Sequence, residues 1–319
     1  MLIGGSGFVG SYLCHSLLEE GYNIIVFDSV EEKNKNSQYT YKHGSILDEG
    51  ILIESMQGID LIIHLAAKHR FFGVSEKEYY MVNEQGTRNV LSAMEKMKVN
   101  RLVFFSTVAI YGDVQDYTTE STPPQPNNHY GKSKLAAEMA VREWVEQNKA
   151  RSAIVIRPTV IFGPHNKGNV YRLIRQIYYK GYIPIGTGNN VKSVVYVENL
   201  VDATLYLIKQ NLSGFEVFNY ADEPHLAYSE FVRLIYQYLG IKYPVFNLPY
   251  KPMLITASVV DKIIRLLRIE FSLYAAIQKI NKTTHHKAER LREMGFVQKY
   301  TIEGGLKKMV QWYLTDKKR

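Results

Sequence analysis

Short apolar runs alternate with helically spaced apolar positions through the first half of the chain. Residues 23–28, 61–65, 101–106 and 153–157 are dominated by Ile, Leu, Val and Phe, the pattern of strands buried on both faces. Residues 8–20, 79–96 and 130–147 instead carry the spacing that predicts helices. Such alternation builds βαβ units, so the expected fold is α/β: a doubly wound parallel sheet with helices on both faces. Residues 1–3 read as a strand stub, against about 5–6 residues for an ordinary strand. Either the native start lies upstream or the central strand is unusually short. Beyond about residue 162 the pattern loosens, although 191–200 and 215–220 read as strands that rejoin the first sheet. The expected division is a main domain of 1–163 with 190–220, and a smaller mixed lobe of 164–189 with 221–319. That lobe should close over the sheet's carboxyl edge, where open α/β sheets bind ligands.

Composition narrows the setting. The 319 residues are 46% hydrophobic and 22% charged, ordinary for a globular protein. No run approaches the ~18 apolar residues of a membrane span, and the N-terminus does not read as a signal peptide. The single cysteine, Cys14, rules out an internal disulfide and a cysteine-rich metal site, so no metal is expected and a reducing, cytoplasmic setting fits. The net charge of +8 gathers late, at Lys262, Arg265, Arg268, Lys279, Lys282, Lys287, Arg290, Arg292 and the tail Lys317-Lys-Arg319. An anionic substrate or an acidic membrane surface would use it; no nucleic-acid module accompanies it.

The candidate chemistry lies at two places. Gly4-Gly-Ser-Gly-Phe-Val-Gly10 follows a strand and opens a helix. Its glycines Gly4, Gly7 and Gly10 permit a tight turn, close approach to a pyrophosphate and tight helix–strand packing. Asp28 ends the next strand, 18 residues after Gly10. An acid there accepts from ribose hydroxyls and repels a 2′-phosphate, which favours NAD over NADP. Glu31 and Glu32 add to the repulsion. Further on, Tyr130 and Lys134 are four apart and share a helix face. Y-x-x-x-K is common by chance in a chain with 24 tyrosines; the glycine loop gives it meaning. An ammonium about 4 Å from the phenol, at an effective dielectric of about 20, would favour the phenolate by about 4 kcal/mol, roughly 3 pK units. That would suit Tyr130 to general acid–base work near neutral pH.

Together these residues resemble the extended short-chain dehydrogenase/reductase family, in its nucleotide-sugar epimerase/dehydratase branch. His64-Leu-Ala-Ala67, Asn83-Glu-Gln-Gly-Thr87, Ser106-Thr-Val-Ala-Ile-Tyr-Gly112, Arg157-Pro-Thr-Val-Ile-Phe-Gly-Pro164, Lys192-Ser-Val-Val-Tyr-Val-Glu-Asn-Leu200 and the late Lys287-Ala…Met294-Gly-Phe296 resemble its motifs in order. The resemblance implies a Rossmann domain holding NAD through Gly4, Gly7, Phe8, Val9, Gly10, Asp28, Ser45, Ile46, Leu65, Ala66, Ala67 and Lys134. It implies Tyr130 as base, Lys134 as its activator and Thr107 as partner to the substrate oxygen. Lys68, Asn169 and Lys192 would meet the sugar and its diphosphate, although Asn169 reads equally as a helix cap. Ser45 stands where the family has an acid, Val160 where it has asparagine, and Lys192 where it has a bidentate arginine.

Family members remove a hydride to NAD, giving a 4-keto sugar. The 4,6-dehydratases carry an Asp-Glu pair where this chain has Val108 and Ala109, so dehydration is disfavoured. The chain is most similar to bacterial 4-epimerases of surface-polysaccharide assembly. Their N-acetylhexosamine is joined through diphosphate to undecaprenol or to UDP. A 4-keto sugar reductase, and a non-catalytic NAD-binding regulator, remain as alternatives. Residues 251–270 bear on the substrate, because Leu254, Ile255, Val259, Ile263, Ile264 and Leu267 form an apolar stripe beside Lys262, Arg265 and Arg268. That helix suits either packing on its own lobe or peripheral contact at the inner face of the cytoplasmic membrane. The family also implies a homodimer, through the helices of Asn83 and Tyr130.

Overall fold

The computed structural model describes residues 1–31, 37–69, 73–113, 116–266 and 272–317, with side chains at all of these except 180 and 263–266. The expectations for Glu32, Leu267, Arg268 and the last two residues of the basic tail lie outside the described residues, and those for the side chains of Ile263, Ile264 and Arg265 outside the described side chains.

Seven parallel strands form the main sheet: β1 (Leu2–Ile3), β2 (Ile25–Asp28), β3 (Thr40–His43), β4 (Ile62–His64), β5 (Arg101–Phe105), β6 (Ser152–Pro158) and β9 (Gly214–Tyr220). Their order is β3-β2-β1-β4-β5-β6-β9. The chain starts in the middle and winds outward both ways, so the carboxyl ends of β1 and β4 flank a topological switch point. Alternate residues of each strand face opposite cores. Ile3, Phe27, Ile62, Phe104 and Val155 face one side; Leu2, Val26, Ile63, Val103 and Ile154 face the other. Burial on both faces explains why these strands read as unbroken apolar runs.

The first core is covered by α2 (Glu49–Ser55), α4 (Gly86–Lys96) and α5 (His129–Glu146), the second by α1 (Phe8–Glu19), α7 (Val197–Lys209) and α11 (Glu289–Glu293). A third cluster joins α6 (Asn169–Lys180), α8 (Tyr228–Leu239) and α12 (Ile302–Asp316). The remaining helices are α3 (Glu76–Tyr79), α9 (Tyr250–Leu266) and α10 (Leu273–Asn281).

Two expectations need correction, and one strand went unread. Residues 191–200 do not rejoin the main sheet: β8 (Val194–Tyr196) pairs with β7 (Val160–Phe162) in a separate two-stranded sheet, and the chain then turns into α7. The edge of β6 is already taken by β9 along its whole length, from Ser152↔Gly214 to Pro158↔Tyr220. Residues 79–96 are not one α-helix, because a π-helical turn at Tyr80–Gln85 separates α3 from α4 and turns Asn83 inward, fully buried. Finally, β3 had no apolar signature; Thr-Tyr-Lys-His is a half-exposed edge strand, and polar residues suit an edge.

Candidate active site

The glycine loop leaves β1 at the sheet's carboxyl edge. Gly4 has φ +78°, and a Cβ there would lie 2.6 Å from the Ala66 nitrogen; at Gly10 it would lie 2.5 Å from the Gly5 carbonyl. Both positions require glycine. Gly7 is the N-cap of α1 and supplies no side-chain cap, which leaves the first amides of that helix for an anion. Phe8 and Val9 lie half-buried in its first turn. The Asp28 carboxylate accepts from the Ser6 amide at 3.0 Å and from the Val30 amide at 3.1 Å, which ties the end of β2 to the loop. Each oxygen keeps a further lone pair. Leu65, Ala66 and Ala67 line the end of β4, half-buried, with Leu65 and Ala66 amides on the Ile3 carbonyl at 2.8 and 3.0 Å. Ser45 accepts locally from Leu47 at 3.2 Å. Ile46 is buried against Gly86. These features fit a dinucleotide.

Tyr130 stands in the first turn of α5, whose N-cap Asn128 accepts from the Gly131 amide at 2.9 Å. Its hydroxyl is hydrogen-bonded to Thr107, the residue that follows Ser106 beyond β5. Thr107 in turn accepts from the Ala109 amide at 3.1 Å. The tyrosine backbone is also held, since the Ser133 hydroxyl donates to its carbonyl at 2.9 Å and Asn83 donates to that hydroxyl at 2.9 Å. The same Asn83 amide binds the Lys68 backbone at both its N–H (2.7 Å) and its carbonyl (3.0 Å). Asn83 therefore fastens the loop beyond β4 to the helix of Tyr130. Sequence reading missed Ser133 and Asn128; the cap rule pointed to Asn128, whereas Ser133 carried no signal beyond its place between Tyr130 and Lys134.

The electrostatics differ from expectation. Burial pushes the Tyr130 phenol up to about 12, the Thr107 hydrogen bond pulls down against it, and Tyr79 adds to the rise. The Lys134 ammonium lies 4.0 Å from the centroid of the Phe104 ring, and burial draws it down from 10.5 to about 7, with Glu138 opposing the fall. Four-residue spacing put both side chains on one face but did not determine where the long lysine side chain would end. Burial likewise draws His64 down to about 3, with Lys134 contributing. That ring packs neutral, with Nε2 3.1 Å from the Thr87 hydroxyl.

The lysine shift carries a stability prediction. A depressed lysine pKa means that the unfolded chain binds more protons between pH 7 and 10.5, so this group destabilises the fold most below that window and less as pH rises through it. Lys134→Met should therefore raise the melting temperature of cofactor-free protein by more at pH 7 than at pH 10.5. Thermal melts at the two pH values check this.

Behind α5 lies a buried ion pair. Arg157 donates to Glu138 from Nε at 3.0 and 3.2 Å and from Nη2 at 2.5 Å, and from Nη1 to the Tyr111 hydroxyl at 2.8 Å. The Tyr111 hydroxyl in turn donates to Asn219 Oδ1 at 2.7 Å.

The expected sugar-side residues are more scattered. Lys68 is exposed. Asn169 is exposed as the first residue of α6 and is not its cap; Gly168 is, and Asn166 braces that turn by accepting from Gly168 at 2.6 Å. Lys192 donates to the carbonyls of Lys279 (2.7 Å) and Lys282 at the end of α10. Burial, with Lys279 and Lys282 nearby, lowers it to about 8. Lys282 pairs at 2.5 Å with Asp113, on the segment that leaves Thr107.

A glycine loop, an acid ending β2 and a tyrosine bonded to threonine at one sheet edge define a dinucleotide-dependent enzyme of the doubly wound class. Residues 1–221 match the NAD dependent epimerase/dehydratase family, and the chain belongs to it, with NAD as cofactor. It is 38% identical to N-acetyl-alpha-D-glucosaminyl-diphospho-ditrans,octacis-undecaprenol 4-epimerase of Escherichia coli O157:H7, over 100% of this chain and 96% of that one. It is 25% identical to human dTDP-D-glucose 4,6-dehydratase, over 98% and 89%. The crystal structure of UDP-glucuronic acid 4-epimerase from Bacillus cereus in complex with NAD shares the fold, with a TM-score of 0.78 at 20% identity over 98% of each chain. Among the described residues no helix is long and apolar enough to cross a membrane.

Proposed function

We propose that this chain is a 4-epimerase of an N-acetylhexosamine carried on diphosphate, with a polyprenyl chain rather than a nucleoside beyond it. The observation that carries the reading is the Tyr130–Thr107 hydrogen bond, followed directly by Val108 and Ala109. The first pair can move the proton of a sugar hydroxyl. The second can move none, so elimination of water lacks its acid and base. The undecaprenol-linked substrate in the name of the Escherichia coli relative supports the lipid carrier.

In this reading Tyr130 takes the C4 hydroxyl proton while Thr107 holds the oxygen, and later returns the proton. NAD, when bound, would supply the hydride acceptor and donor for C4. Gly4, Gly7, Gly10 and the first turn of α1 hold the pyrophosphate; Asp28 holds the adenosine ribose. Lys134 holds the nicotinamide ribose. Lys192 and Lys282 set positive charge beside the substrate diphosphate. Exposed Met81 and Met139, on the helices of Asn83 and Tyr130, support pairing of two copies there.

The test supplies purified protein, with no cofactor added, with N-acetylglucosamine linked through diphosphate either to a prenyl chain or to uridine. Conversion of the prenyl-linked sugar to its 4-epimer is the expected result. Conversion of the uridine-linked sugar alone removes the lipid carrier from the account, and product formed only with added NADPH makes the chain a reductase.

A further inference from the structure

The sub-lobe of α9 and α10 has a surface that the chemistry above does not use. On α9, Ile255 and Val259 are 67% and 54% exposed, four apart on one face. A second exposed apolar edge immediately precedes α9 along the chain. The Ile185↔Leu248 bridge lays residues 183–185 along 246–248, where Ile183, Val245 and Phe246 are 45%, 90% and 60% exposed. Apolar groups clustered at this level mark an interaction surface.

Charge indicates what covers it. From residue 241 to 287 the sequence has two acids, Asp261 and Glu270, against eight lysines and arginines. Asp261 is buried and accepts from the Leu273 amide and the Ser272 hydroxyl at the start of α10, so it offsets nothing outside. Lys242, Lys251 and Lys262, which flank the apolar residues in sequence, are exposed. Apolar side chains ringed by lysines complement an acidic lipid interface.

A cavity of about 840 Å³ opens beside this face, between Thr187, Leu248–Tyr250 and the Gln278–Lys282 end of α10. Its lining includes Lys282, paired with Asp113 from the segment leaving Thr107.

We propose that the α9 face, with Ile183, Val245 and Phe246, seats on an acidic phospholipid bilayer, and that the adjoining cavity conducts the prenyl chain of the substrate from the bilayer to the lysines. This rests on the prenyl-linked reading above. Membrane seating is tested by sedimenting the full chain with phosphatidylcholine vesicles with and without phosphatidylglycerol, a readout independent of turnover. Wild type should sediment with the acidic vesicles, less so in high salt, and Ile255→Asp/Val259→Asp should bind about tenfold more weakly. In that variant the ratio of kcat/KM for vesicle-embedded long-chain substrate to that for a water-soluble short-chain analogue should also fall about tenfold. Gln278→Trp, which narrows the cavity, should raise KM for the short-chain analogue while kcat holds. Equal vesicle binding by wild type and the double variant overturns the seat, as does conversion of a wild-type dimer to monomer without vesicle binding, which would assign the face to a second copy. An unchanged KM in Gln278→Trp overturns the chain path. Vesicle binding by a protein that epimerises only uridine-linked sugar would leave the seat intact and sink the substrate reading instead.

Discussion

Tyr130→Phe should lower kcat by at least about 10²–10⁴-fold, the usual contribution of a positioned acid–base group, while NAD stays bound. The substitution removes one oxygen and little else. The phenylalanine ring keeps the contact with Tyr79, whose centroid is 6.2 Å away, and the backbone bond from Ser133 is untouched. Thr107 keeps its bond from Ala109, so the end of β5 does not move. What is lost is the hydroxyl assigned to take the substrate's proton and hand it back. Single-turnover assays beside measurement of retained cofactor check the outcome; near-wild-type turnover would remove Tyr130 from the mechanism.

The largest effect on stability is expected at Glu138. Glu138→Ala should destabilise the protein by about 3–5 kcal/mol, because it strands the Arg157 guanidinium without its carboxylate in a buried site. Both side chains are nearly inaccessible, at 3% and 6% exposure, so water cannot replace the lost partner. Tyr111 remains on Nη1 and neutralises nothing. Replacing both members together, as Glu138→Met with Arg157→Met, should recover most of the loss, since no charge is then left unpaired. Denaturant unfolding of the single and double variants measures this. Equal losses in both would mean that packing, not charge, sets the cost.

How much of this was legible beforehand follows from what each signal measures. Sequence reading located six of the seven sheet strands, four of them as continuous apolar runs because those strands are buried on both faces. The same signal failed at β3, an edge strand of Thr-Tyr-Lys-His, and misassigned β8, since periodicity does not say which strand a neighbour will be. Motif spacing brought the glycine loop, Asp28, Thr107 and Tyr130 to one edge, as the structure has them. It did not reveal the direction of a long side chain. Lys134 lies over Phe104, and Lys192 caps the end of α10. The roles of Asn83 and Ser133 depend on a π-helical turn that no local pattern announces.

The most direct measurement follows the near-ultraviolet absorbance of reduced nicotinamide while purified protein turns over prenyl-diphosphate N-acetylglucosamine without added cofactor. A transient rise that decays as the 4-epimer accumulates, absent in Tyr130→Phe, is the predicted result. Epimer formed at an equal rate by that variant, with no reduced cofactor at any time, would contradict it.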